Sequence, residues 1–93
     1  PWEISKCFKN SAIVTPIKGT RDFPKDWQAT KFSLKVNGEL RQESSLSQAI
    51  MKADEIIHYI DAHFPINDGD LVFTGTPAGV GPLKPDDVLE LEY

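Results

Sequence analysis

The chain has 93 residues, ten basic and fourteen acidic, for a net charge of −4. That length suits one domain rather than two, and the lack of any Lys/Arg cluster argues against a nucleic-acid partner. A hydrophobic share of 40% and a charged share of 26% are those of an ordinary globular protein. No apolar run approaches the ~20 residues of a membrane helix, so no membrane partner is expected.

No charged-then-apolar start marks a signal peptide. Cys7 is the single cysteine, which excludes an internal disulfide and any cysteine-based zinc site. It suits a reducing compartment, the cytoplasm or, in a eukaryote, the mitochondrial matrix. The first residue is Pro1, which fits a processed chain or a piece of something longer.

In chain order, "PWEISKCFKN" (1–10) mixes Trp2, Ile4 and Phe8 with charges and has no clean period. "SAIVTPI" (11–17) is β-branched and reads as a short strand ended by Pro16. "KGTRDFPKDW" (18–27) is a loop of turn formers. In "TKFSLKVNGELRQ" (30–42), Phe32, Leu34 and Val36 alternate with Ser33 and Lys35, the period of a strand. Asn37-Gly38 supplies the positive φ angles of a type I′ hairpin turn. A strict two-residue turn, however, sets Val36 opposite Glu39 and Leu40 beside Lys35. Either both faces are partly covered, or a bulge shifts the register.

The period changes after residue 45. Ala49, Ile50, Ala53, Ile56, Ile57, Ile60 and Phe64 recur every three or four residues, with Lys52, Asp54, Glu55 and Asp61 on the other face. The pattern predicts an amphipathic helix at 52–64 ended by Pro65, and "SLSQ" (45–48) has the spacing of a capping box. "LVFTG" (71–75) and "DVLELEY" (87–93) read as strands flanking the glycine-rich "TGTPAGVGP" (74–82). The expected class is α+β, mostly β. The apparent need for a larger sheet than these strands can form suggests part of a longer polypeptide.

The glycine-rich loop is the first candidate for chemistry. Gly75, Gly79 and Gly81 permit close backbone approach, and the Thr74 and Thr76 hydroxyls could hold a carboxylate or an enolate oxygen. It is neither a P-loop nor a dinucleotide fingerprint, because no Gly-Lys-Ser/Thr follows and a strand rather than a helix lies downstream. A wide strand-to-strand turn explains the composition equally well. His58 and His63 project about 140° apart on a helix, so a shared metal is not expected. Glu90 and Glu92 could pair on a cation, though a solvated strand face accounts for them better. Cys7 reads as a buried structural thiol, Lys6 as a surface lysine, and Trp2 and Trp27 as core or interface aromatics.

"GDLVFTGTPAGVGPLKPDDVLELEY" resembles the C-terminal part of the fumarylacetoacetate hydrolase family, in which Gly-Asp, an apolar strand, Thr-Gly-Thr-Pro and Gly-Val-Gly-Pro occur in this order. "PWEISKCF" is similar to the family's Pro-Trp…Lys-x-Phe stretch, and "LKVNGELRQ" to its Val-Asn-Gly-Glu-x-Arg-Gln hairpin. The resemblance spans essentially the whole chain and is closest to the acylpyruvase-like branch. It implies residues 1–93 as a C-terminal fragment of one catalytic domain, folded as part of a mixed β-sandwich roll that is commonly homodimeric.

The implied activity is metal-dependent hydrolysis of the carbon–carbon bond of a small β-diketo acid of the acylpyruvate type. Mg²⁺ or Mn²⁺ would grip the 1,2-oxo-acid end and polarise the developing enolate, while a His/Glu pair in a lid activates water. Isomerase, tautomerase and decarboxylase members use the same enolate, and a non-catalytic dimerisation or binding module is a further alternative. Residue by residue, Lys6 matches the active-site lysine that neutralises substrate charge. Gly75 and Thr76 match the Gly-Thr that binds the substrate carboxylate. Arg41 and Gln42 match recurring hairpin positions without a catalytic role. The family's Glu-x-Glu and Asp metal ligands and its lid precede the Pro-Trp stretch, so none is expected within these residues, and the isolated chain is expected to be inactive.

Overall fold

Strand-forming alternation at 31–36 and the Asn37-Gly38 turn produce the hairpin the sequence predicts. The computed structural model describes residues 1–93, except for the side chain at position 20. Strand β1 (Lys31–Val36) pairs antiparallel with β2 (Glu39–Ser45). Asn37 and Gly38 adopt φ of 52° and 80°, the left-handed pair that a type I′ turn requires. Strand β3 (Leu89–Glu92) adds to the other side of β1, giving the order β2-β1-β3.

The register resolves the hairpin discrepancy. Leu34 faces Gln42 and Lys35 faces Leu40, so Arg41 has no partner and forms a bulge. Residues opposite one another in an antiparallel pair share a face. Leu34, Val36, Gln42, Leu89 and Leu91 therefore lie on one face, and Lys35, Leu40 and Glu90 on the other. Val36, at the middle of the apolar face, is the single buried hydrophobic residue among those described, 5% exposed.

Helix α1 (Trp2–Lys6) is one short turn that the aperiodic sequence did not signal. Helix α2 (Ala53–Asp61) lies within the predicted 52–64. Phe64 N–H still bonds to the Ile60 carbonyl, which also accepts the His63 N–H three residues on, so the coil continues and tightens up to Pro65. The capping box is not at 45–48. Leu46–Gln48 forms a separate 3-10 turn, and the helix start is held by Glu55, whose Oε2 accepts the Lys52 N–H at 2.8 Å. Glu55 is at the third helical position, where a carboxylate reaches back to an unpaired backbone donor; Gln48 lies too far upstream.

Segments 11–17 and 71–75 do not form strands. Both are β-branched, but a strand exists only through a ladder partner, and neither segment has one among the described residues. Their apolar side chains stay exposed, Ile13 at 85%. Phe23 and Trp27 pack locally, edge to face at 6.1 Å, while the Lys18 ammonium reaches across the chain to lie 4.6 Å from the Tyr93 ring centroid.

Candidate functional site

The bulge decides what faces the glycine-rich loop. In a regular ladder Arg41 would face Leu34, and Gln42 would point to the opposite side with Lys35. One extra residue instead turns Gln42 toward the loop. Its Nε2 lies 3.0 Å from Thr76 Oγ1, 2.9 Å from the Pro77 carbonyl and 3.4 Å from the Ala78 carbonyl, and shares its two hydrogens among these three acceptors. Gln42 and Pro77 are half-buried at this crossing.

The loop approaches the strand so closely that residue 79 has no room for a side chain. A Cβ on Gly79 would collide with the Arg41 carbonyl oxygen, and its φ of 102° independently favours glycine. Beneath the crossing is a hollow of about 190 Å³, lined by Leu34, Val36 and Leu89 from the sheet, with Arg41, Gln42 and Thr76 at its polar side. The lining is apolar with a few converging polar groups, but the volume is below the roughly 300 Å³ at which closed small-ligand pockets begin.

A second tether fixes the far end of the loop. The turn residue Asn37 donates from Nδ2 to Asp87 Oδ1 at 2.8 Å, while its Oδ1 accepts the Val88 N–H at 2.9 Å. Its backbone N–H bonds to the Val88 carbonyl, also at 2.8 Å. Asp87 Oδ2 in turn accepts the Lys84 N–H at 2.8 Å. The Lys84 backbone donor, then the Asn37 amide, and to a lesser degree the Arg41 charge, lower the Asp87 pKa below its usual 3.8.

Of the residues singled out by resemblance, Thr76 and Gly75 belong to this loop, Gly75 with φ of 95°. Lys6 is on exposed α1, its ammonium 5.2 Å from the Trp2 ring centroid, and it does not line the hollow beside Thr76. Cys7 is exposed, contrary to the expectation of a buried thiol: the α1 turn ends at the surface and places nothing over it. Trp2 is likewise exposed rather than in a core. His58 and His63 act separately, each Nδ1 bonding to the carbonyl four residues back, of Asp54 and Tyr59. Glu92 pairs with Lys35 at 3.3 Å, so its cation is an ammonium group on the adjacent strand.

Among the described residues no three His, Cys, Asp or Glu side chains gather where a divalent cation could sit. The donor set present here does not by itself fit Mg²⁺ or Mn²⁺. No helix among the described residues is long and apolar enough to cross a membrane.

Sequence reasoning missed Gln42 and the second role of Asn37. The signal for Gln42 was present in the mismatched apolar pattern across the hairpin, which pointed to a bulge but not to its consequence. The family description "Fumarylacetoacetate (FAA) hydrolase C-terminal" matches residues 1–93. The chain belongs to the fumarylacetoacetate hydrolase family.

Within that family, the chain is similar to mouse "Oxaloacetate tautomerase FAHD1, mitochondrial", 42% identical over 97% of this chain and 40% of the relative. It is 41% identical to "Oxaloacetate tautomerase YcgM" of Escherichia coli over 100% of this chain and 42% of that protein. A crystal structure of a Yersinia pestis CO92 protein assigned to the fumarylacetoacetate hydrolase family superposes with a TM-score of 0.92 at 36% identity, over 99% of this chain and 43% of the other. The chain thus spans about two fifths of the length of these relatives. The likeness supports the α+β, mostly β reading and its fumarylacetoacetate hydrolase-like fold.

Proposed function

We propose that residues 1–93 form the C-terminal part of one catalytic domain that interconverts the keto and enol forms of a small oxo-acid, with oxaloacetate as the first substrate to test. The observation that carries this reading is the 41–42% identity, across almost the whole chain, to curated oxaloacetate tautomerases. It moves the emphasis from the hydrolase that the resemblance first suggested to the tautomerase alternative.

Enolisation breaks a C–H bond next to the ketone, sends the proton to a base and moves the electron pair to form C=C. The ketone oxygen takes up the negative charge and then a proton. In this reading the Thr76 hydroxyl, following the flexible Gly75, donates to the substrate carboxylate, and the Lys6 ammonium offsets the charge of carboxylate or enolate. The base and the ligands of the Mg²⁺ or Mn²⁺ that the reading includes come from residues outside these 93. Homodimeric assembly is also part of the proposal and is checked by the solution mass of the full-length protein.

Carbon–carbon cleavage of an acylpyruvate is the second reading, favoured by the hydrolase description of the matched family. One experiment separates the two. The full-length protein is given oxaloacetate enol, followed by its absorbance, and separately an acylpyruvate, followed by release of the carboxylic acid. Faster enol loss supports tautomerisation, and acid release supports cleavage. Lys6→Ala and Thr76→Ala are each expected to lower kcat/KM by about a hundredfold, the scale of losing one stabilising donor. Activity on neither substrate, or unchanged rates in both variants, overturns the proposal.

A further inference from the structure

Gln42 joins the hairpin to the loop by its amide, and the chemistry of its three neighbours fixes which end of the amide is which. Pro77 and Ala78 present carbonyl oxygens, which only accept, so the NH₂ end faces the loop. Thr76 Oγ1, 3.0 Å from the same nitrogen, is therefore an acceptor in this contact. A hydroxyl has a single hydrogen. With one lone pair engaged by Gln42, that hydrogen points elsewhere, and among the described residues Thr76 Oγ1 has no acceptor of its own.

We propose that Gln42 is a positioning residue with two linked effects. It holds residues 76–78 against β2, and by occupying one acceptor lone pair of Thr76 Oγ1 it orients the single hydroxyl hydrogen away from itself, toward a bound carboxylate or enolate oxygen. The Arg41 bulge is the backbone device that makes this possible, because without it the Gln42 side chain lies on the opposite face. The identity of the anion rests on the oxo-acid reading; the tether does not.

The test uses the full-length protein with Gln42→Glu and Gln42→Ala. Glutamate keeps the size and reach of glutamine but at neutral pH has no hydrogen to donate, and its charge meets two carbonyl oxygens. Backbone amide exchange over residues 75–79 is expected to rise at least tenfold in both variants. Oxalate, a planar anion that needs no turnover to be detected, is expected to bind about tenfold more weakly to Gln42→Glu by calorimetry. In a Thr76→Val background most of that loss is expected to vanish, since the two residues act as one unit. Unchanged exchange overturns the tether. Losses that simply add in the double variant overturn the donor role. A parent that binds oxalate but turns over neither substrate overturns the proposed activity while leaving both Gln42 tests in force.

Discussion

At the level of single residues, the site depends on positions where a side chain is either forbidden or indispensable. Gly75 and Gly79 have similar positive φ values, 95° and 102°, but different surroundings. A Cβ at Gly75 meets open space, whereas one at Gly79 meets the Arg41 backbone. Gly75→Ala should therefore cost only the backbone strain, about 1–2 kcal/mol. Gly79→Ala adds overpacking against a rigid neighbour, for about 2–5 kcal/mol in total. Denaturant unfolding of the full-length variants checks this, and equal losses at the two positions would refute the close crossing. Asn37 shows how one residue can serve two purposes. Its tolerance of positive φ makes the turn, and its side-chain amide clasps Asp87 and Val88.

Among the elements, the brace between hairpin and loop carries a pH signature. Asp87 accepts from Lys84 and Asn37 in its ionised form, so its pKa in the fold is below the ordinary 3.8. A depressed carboxylate pKa contributes stability that is present above the unfolded value and is lost as pH falls through the folded one. The Lys84 and Val88 amide resonances are thus expected to titrate together at a pH below 3.8, and Asp87→Asn should abolish the transition. A midpoint at or above 3.8 would remove the physical basis of the brace. What the sequence revealed of these elements follows from locality. The hairpin and α2 were legible because periodicity, Asn37-Gly38 and Pro65 are local signals. Segments 11–17 and 71–75 were misread because strand propensity is local whereas a ladder partner is not. The loop was legible from its glycines and threonines. Gln42 was not, because plain alternation after the turn assigns it to the wrong face, and only the bulge at Arg41 corrects that.

For the molecule as a whole, the described chain has a radius of gyration of 15.1 Å, where a compact globule of this length has about 12 Å. With Val36 alone buried among the described residues, and Trp2, Ile13, Ile17 and Phe73 exposed, too little apolar surface leaves water to offset the ordering of the backbone. The relatives are more than twice as long, and we attribute the cover for these side chains to the remainder of such a domain. Residues 1–93 expressed alone are expected to bind an apolar fluorescent dye and to melt without a sharp transition. The full-length protein should melt cooperatively with little dye bound. A sharp, dye-free melt of the 93-residue chain would show that it needs no such cover.

The order β2-β1-β3 also bears on biosynthesis. Strand β1 finds its first partner within a few residues, but its second, Leu89–Glu92, is more than fifty residues downstream. On the ribosome the hairpin can therefore form before β3 exists to pair with it, and the non-local β1–β3 ladder is the slower step in completing this sheet.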